Sequence, residues 1–371
     1  MKQALLAFVL TMCCTISQAQ DFAWETKRIE GRDYVGLPQL AQFYNLPRDV
    51  APADNKIVMS RGARSLILMR DSRDVWINGV KYVLSFPVLD RDGTYWLSRM
   101  DLGKTVEPAF RPELVQGIKP FTTVILDAGH GGHDKGAAAP NEFEKNFALD
   151  VARRVRNELQ NAGMRVIMIR NNDTFIELQT RAALANAQQN AIFVSIHFNA
   201  ADWNRSANGL EIFAITPRGS PSTEYDELLV RDMVNEQGNK NETQSFTLAS
   251  VIYHSLQGAK LNMFDRGVKR ARFAVLRLTK MPAVLVEGGF LTNAEDAKRV
   301  SSTDWRNKYA KAIATGIIEY QKLAELKRVP RTMADYREGR TSSPAAPATV
   351  APAPSPTARP VQSVTLQELP Q

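Results

Sequence analysis

The chain carries four histidines in 371 residues. Two of them, His130 and His133, sit close together in the glycine-rich stretch "VILDAGHGGHDKGA" (Val124–Ala137). An imidazole in such a loop can ligate a metal, shuttle a proton or simply face water. Three apolar runs give the choice a context. "TTVILDAGH" runs into His130, "AIFVSIH" into His197 and "PAVLVE" into Glu287. Each run has the composition of a central strand buried on both faces of a parallel sheet. The carboxyl ends of such strands lie on one edge, which is where open α/β sheets bind ligands. Two histidines and a glutamate therefore converge on one place. Glu144, in "NEFEKNFALDVA", opens the helix after the glycine-rich loop. With Asn141 it has the spacing of a capping box, and spacing alone favours that reading. A first-turn glutamate beside a strand-end loop is also placed to face a metal. Both cysteines, Cys13 and Cys14, fall in the N-terminal apolar run, so metal chemistry in the remaining chain must use histidine and carboxylate.

The elements that must position these groups can be read in outline. Lys2, an apolar run and the small residues Ser17 and Ala19 form a signal-peptide layout over residues 1–19, so the chain is expected to be exported. The run is too short to span a bilayer and no later segment is long and apolar enough, so no transmembrane anchor is expected. A periplasmic location is favoured, with secretion or the cell envelope otherwise. The net charge of +8 suits an anionic polymer as partner. No basic-helix, finger-like or RNP-like pattern accompanies it, and no nucleic acid is expected. Residues 22–115 read as a small α+β module. "DVWINGVKYVL" places Asn78-Gly79 between apolar alternations, a hairpin signal. "GRDYVGLPQLAQFYN" and "DGTYWLSRMDLGK" look alike, each a turn, an aromatic strand and a short helix. Residues 121–327 alternate strands and helices. "TTVILD", "RVIMIR", "AIFVSIH", "GLEIFAI", "FAVLRL" and "PAVLVE" are the expected strands. The segment beginning "FEKNFALDVARR" and "ELQTRAALANAQQ", "LASVIYHSLQ" and "YAKAIATGIIEYQKLAELK" are the expected helices. This pattern predicts an α/β domain with a mostly parallel sheet and helices on both faces. Residues 329–371 read as a disordered Pro/Ala-rich tail.

"ILDAGHGGHDKGA", the glutamate of "FEKNFALDVA", "VSIHFNA" and "AVLVEGGFLTN" occur in order. Together they resemble the zinc-dependent N-acetylmuramoyl-L-alanine amidases of the type 3 family. "RGVKRARFAVLRLTK" and "GNKNETQSFTLA" extend the resemblance, which spans residues 121–322. It implies that His130, Glu144 and His197 bind Zn2+ and that Glu287 is the catalytic acid/base. It further implies that the substrate is peptidoglycan, cut at the amide between N-acetylmuramic acid and the L-alanine of the stem peptide. The chemistry agrees: two histidines and a carboxylate leave a fourth zinc position open, and zinc brings the pKa of a bound water from about 16 towards about 7. The aliphatic strand before Glu287 should desolvate its carboxyl, and Gly288 and Gly289 would let substrate backbone come close.

Other positions carry narrower expectations. Asp127 should orient the His130 loop or its imidazole. Asn199 and Asp134 should fix loops or line the site. Arg277, with Arg266 and Lys269, would meet stem-peptide carboxylates or form a solvated basic face. His133 reads as a surface residue and His254 as a plain helix residue. "YDELLVRDMV", within residues 216–245, is an amphipathic helix candidate, and some relatives in the family carry a helix here that blocks the metal until a partner, a protein activator, removes it. The 22–115 module resembles the small N-terminal module of copper amine oxidases, with wall binding or positioning as its role. Two alternatives stand beside the amidase reading. One is a wall-binding or regulatory protein with an inactive amidase-like domain, and the other is a zinc hydrolase of another envelope amide.

Overall fold

The structure, a computed structural model, describes residue 22, residues 24–51 and residues 55–326. The expected signal peptide and the Pro/Ala-rich tail lie outside the described residues. The N-terminal part contains β1 (Thr26–Ile29), β2 (Arg32–Gly36), α1 (Leu37–Tyr44), β3 (Arg48–Ala51), β4 (Lys56–Arg61), β5 (Arg64–Met69), β6 (Asp74–Ile77), β7 (Val80–Val83), β8 (Leu89–Arg91) and β9 (Thr94–Ser98). A helical run follows, with α2 (Arg99–Asp101), a π turn and α3 (Glu107–Phe110). Asn78 and Gly79 both take positive φ, 50° and 83°, and join β6 to β7 with Ile77 opposite Val80. Two successive positive φ values are what a two-residue hairpin turn needs, and Asn-Gly supplies them at least cost. The two look-alike segments each form a strand that leads into a helix. Their strands, β2 and β9, pair antiparallel, Val35 opposite Leu97.

The second part holds β10 (Thr123–Ala128), the short pair β11 (Ala138–Ala139) and β12 (Glu142–Phe143), α4 (Glu144–Asn161), β13 (Arg165–Met168), α5 (Leu178–Asn186), β14 (Ala191–Asn199) and β15 (Leu210–Ile215). It continues through α6 (Glu242–Gly258), β16 (Asp265–Ala271), α7 (Ala274–Arg277), β17 (Ala283–Phe290), α8 (Ala294–Ser301) and α9 (Thr303–Glu325). Its strands lie in the order β13-β10-β14-β17-β15-β16. All neighbours are parallel except β15 and β17. The sheet does not stop there. β16 pairs with β7, Val268 opposite Tyr82, and β7-β6-β5-β4-β3 extend it to eleven strands. β1-β2-β9-β8 form a separate four-stranded sheet.

Every residue of β10, β15 and β17 is buried, as continuous apolar runs in a sheet covered on both faces should be. On one face, α4, α6 and α9 pack together over Val124, Leu126, Val194, Ile196, Val284 and Val286. α4 earns its place through Phe147, Val151, Ala152, Val155 and Leu159, a buried stripe at helical spacing. Ser302 caps α9 by accepting from the Trp305 amide. On the other face, α5 and α7 cover Ile125, Phe193, Phe213 and Leu285. No described helix is long and apolar enough to cross a membrane.

Two expected elements are corrected. "FAVLRL" is not a strand: Ala274–Arg277 forms the single turn α7, and the strand is the preceding "DRGVKRA". The strand was hidden because Arg266, Lys269 and Arg270 break its apolar pattern, although each has a partner inside the fold. "YDELLVRDMV" forms no amphipathic helix either. Only a 3-10 turn at Val230–Met233 appears, its geometry set by Asp232, which accepts from the Leu229 amide.

Candidate metal centre

The strand ends meet as the topology requires. β10 ends two residues before His130, and β14 carries His197 directly beside Glu287 of β17. Because β15 runs against β17, its start lies at this same edge, and Glu211 stands opposite Glu287. His197 continues the row Phe193–Ser195 and Glu287 the row Ala283–Leu285. Both lie on the sheet face covered by α5 and α7.

Glu144 links the two histidines. Its Oε2 lies 3.0 Å from His130 Nε2 and its Oε1 lies 2.9 Å from His197 Nδ1. The rings face each other edge to face with centroids 4.9 Å apart. One ligand atom from each of the three residues falls within 4.8 Å of the others, a group able to hold a metal ion. The carboxylate is held from behind as well, since Oε2 accepts from the Ala137 amide (2.9 Å) and Oε1 from the Phe198 amide (3.0 Å). Glu144 is the first residue of α4, and its oxygens go to those groups rather than to a box with Asn141. The capping-box reading is overturned. Burial opposes its charge, yet the hydrogen bonds from His130 and His197 prevail and hold its carboxyl far below the ordinary carboxylate value. Burial likewise opposes protonation of His130, but Glu144 and Asp134 raise it overall. Asp134 Oδ2 sits 2.8 Å from His130 Nδ1. That contact fixes the orientation of the imidazole, with Nε2 turned to the Glu144 side.

Two glycines make the convergence sterically possible. A Cβ on Gly129 would lie 2.3 Å from the His197 ring, and one on Gly136 would lie 2.5 Å from Glu144 Oε2 and 2.6 Å from the His130 ring. The glycine-rich loop is thus a cradle that any larger residue would fill. His130 itself adopts φ +58°, an uncommon left-handed conformation for a residue with a side chain. Two buried arginines hold it there. Arg170 donates to the carbonyls of Ala128 (2.9 Å) and Gly129 (2.6 Å). Arg181 donates to those of Ala128 (2.8 Å) and His130 (2.7 Å). Burial and the neighbouring Arg181 charge pull the Arg170 pKa down to about 10.

Glu287 is the odd member. It is 7% exposed and its Oε2 has no hydrogen-bond partner. Burial pushes its carboxyl well above the ordinary value; the Glu144, Glu211 and Glu224 charges push the same way, and Lys269 opposes them. An unpartnered buried carboxyl with a raised pKa is fitted to hold and release a proton.

The remaining expected residues have other partners. Asp127 does not touch an imidazole: it pairs with Arg181 (2.6 Å) and accepts from Ser195 Oγ (2.9 Å), reaching the His130 loop only through Arg181. Asn199 donates to Glu211 Oε1 (2.7 Å). Arg266 and Lys269 are both committed to Glu211 Oε2, so neither is a spare cation for a substrate carboxylate. Arg277 lies 3.8 Å from Glu236 and lines a separate pocket of about 300 Å³ with Glu224, Arg272 and Phe273. Gly288 serves packing, since a Cβ there would strike the Phe198 ring at 2.4 Å. His133 is exposed with its ring tilted against that of Phe175, and His254 is exposed on α6. Among the described residues, none from 216–245 bonds to His130, Glu144 or His197. Sequence reasoning missed Arg170, Arg181 and Glu211. The available signal was an arginine at the end of an apolar strand, another inside an alanine-rich helix, and an acid inside "GLEIFAI".

Residues 124–319 match a family profile described as N-acetylmuramoyl-L-alanine amidase (Amidase_3). The chain is similar to N-acetylmuramoyl-L-alanine amidase LytC of Bacillus subtilis, 38% identical over 198 residues, which cover 53% of this chain and 35% of that protein. It is similar to N-acetylmuramoyl-L-alanine amidase AmiC of Neisseria meningitidis serogroup B, 33% identical over 258 residues, 61% of each chain. It thus spans less than two thirds of either relative. Among solved structures it is similar to the catalytic domain of CwlV, an N-acetylmuramoyl-L-alanine amidase from Bacillus (Paenibacillus) polymyxa var. colistinus. That likeness has a TM-score of 0.46 at 31% identity and covers 55% of this chain and 99% of that one.

Proposed function

The chain belongs to the N-acetylmuramoyl-L-alanine amidase family, and from that premise we propose that it is a zinc-dependent peptidoglycan hydrolase. It cuts the amide between the lactyl group of N-acetylmuramic acid and the L-alanine of the stem peptide. The observation that carries the reading is the convergence of His130, Glu144 and His197 within 4.8 Å, beside a buried glutamate with a free oxygen. Two imidazole nitrogens and one carboxylate oxygen are a donor set that suits zinc and leaves a coordination position open. The Gly129 and Gly136 cradle supports the fit, because it brings the three donors together without a side chain between them. When bound, zinc supplies Lewis acidity to a water and to the scissile carbonyl.

The chain's own residues do the rest. His130 is oriented by Asp134, and Glu144 by the Ala137 and Phe198 amides. Those contacts fix where these groups point before a cation arrives. Glu287 Oε2 accepts a proton from the attacking water and delivers it to the leaving nitrogen of L-alanine. A carboxyl with a raised pKa is matched to both halves of that transfer near neutral pH. The same reading places the protein outside the cytoplasm, where its polymer lies, in keeping with the leader-like residues 1–19, and the periplasm is the favoured compartment.

The test is digestion of purified peptidoglycan by the full chain, with and without a chelator, followed by zinc re-addition and mass analysis. Free stem peptides and intact glycan, lost on chelation and restored by zinc, are expected. Released acetate, or a product yield indifferent to chelation, would overturn the reading.

A further inference from the structure

A cavity of about 630 Å³ opens between the N-terminal part and the segment that follows β15, sharing no lining residue with the metal centre. Its volume lies in the range of small-molecule sites, about 300–1,000 Å³. One wall is apolar, made by Phe86 and Met100 from the N-terminal part and by Leu228 and Met233 from the far side. Leu228 and Met233 remain 38% and 50% exposed. The charges on the lining divide unevenly. Glu30 is paired with Arg91 and Asp33 with Arg28, while Lys104 is paired with Glu242. Two cations are left over. The Arg32 guanidinium lies 4.2 Å from the centroid of the Phe86 ring, and neither it nor Arg99 has an acidic partner among the described residues. The cavity therefore presents two uncompensated guanidinium groups beside an adaptable wall containing two methionines.

We propose that this cavity is a second ligand site, for a short peptide with a free terminal carboxylate and small apolar side chains. Guanidinium groups recognise carboxylates through paired, directional hydrogen bonds, and the apolar wall takes the side chains next to that terminus. A polyanion would call for a row of cations rather than two beside an apolar face. The source of such a peptide, on the amidase reading above on which this identification rests, is the stem peptide of the wall, either uncrosslinked or already released. The site joins two parts of the chain. The segment bearing Leu228 and Met233 is clamped by Arg272 on Asp232 (2.7 Å) and by Arg73 of the N-terminal part on the Tyr225 carbonyl (2.8 Å). A bound peptide adds a third tie between the same two parts.

Calorimetric titration of the full chain with a synthetic stem tetrapeptide tests this, in its free-acid and C-terminal amide forms. The free acid is expected to bind at least tenfold more tightly than the amide. The double variant Arg32→Ala/Arg99→Ala should lose at least tenfold of that affinity, and Leu228→Glu should weaken it too. Turnover of a small soluble muropeptide should be unchanged in all of them, since none of these residues belongs to the metal centre. Equal binding of acid and amide by the unaltered chain would overturn the proposal whether or not a variant folds. Equally tight binding of an unrelated all-L apolar tetrapeptide acid would overturn the stem peptide as the source of the ligand. Peptide binding without peptidoglycan digestion leaves the cavity standing and the amidase reading fallen. Digestion with binding insensitive to Arg32 and Arg99 does the reverse.

Discussion

Glu144 has two oxygens and four partners: His130 and the Ala137 amide on one, His197 and the Phe198 amide on the other. On the function proposed above, that arrangement separates holding a metal from moving a proton, because Glu287 sits on β17 and its Oε2 has no partner. The division predicts different failures. Glu287→Gln should keep bound zinc while turnover falls by about 10²- to 10⁴-fold, the usual contribution of a positioned acid/base. His197→Ala should lose the metal itself. Metal content by elemental analysis, read beside activity, separates the two, and an active Glu287→Gln enzyme would remove Glu287 from its role. At this scale, the meeting of His130, His197 and Glu287 at one sheet edge was legible because each closes an apolar run in the sequence. Glu144 was ambiguous from spacing, which fits a capping box as well as a ligand, and only its oxygens' partners decide. Arg170 and Arg181 were not legible, because an arginine's usual place is the surface. Nothing local says that these two turn inward to hold three loop carbonyls and a left-handed histidine.

The strands show a second limit of reading from pattern. An apolar run reveals a buried strand but not its direction, so the antiparallel β15 could not be told from its parallel neighbours. That reversal is what brings Glu211 opposite Glu287. Burial alone would raise the Glu211 carboxyl, but Lys269 and Arg266 overcome it and hold the pKa below the ordinary value. A carboxylate with a depressed folded-state pKa stabilises the fold above its unfolded pKa, near 4.3, and loses that contribution as pH falls through the folded value. Glu211→Gln should therefore be clearly less stable than the unaltered chain at pH 7, since it leaves Lys269 and Arg266 without their carboxylate. The gap should narrow as pH falls through the depressed folded-state value, where the native glutamate also becomes neutral. Urea unfolding over a series of pH values from 7 downward measures this, and a gap of constant size would show that the ion pairs are not its cause.

On the scale of the whole molecule, the sequence reads as two parts, 22–115 and 121–327, but the sheet does not divide there. Composition shifts and the look-alike segments reveal two parts, because both are local signals. The pairing of Val268 with Tyr82 joins strands far apart in the chain and leaves no trace in either one's periodicity. Its consequences are physical. β7 covers the outer edge of β16, the Tyr82 ring lies 5.7 Å from that of Phe246 on α6, and the Arg270 guanidinium reaches across to the Lys104 carbonyl. Removing residues 22–115 would uncover an edge strand whose free amides and carbonyls invite pairing with another molecule. It would also expose Phe246, which is otherwise fully buried. The shortened chain should melt about 2–8 °C lower, the shift expected from a loss of one to two kcal/mol in a domain of this size, and should associate on concentration. Calorimetry and light scattering of the two forms decide the matter. A truncated chain that stays monodisperse at an unchanged melting temperature would mean that the eleven-stranded sheet is two independent sheets in contact.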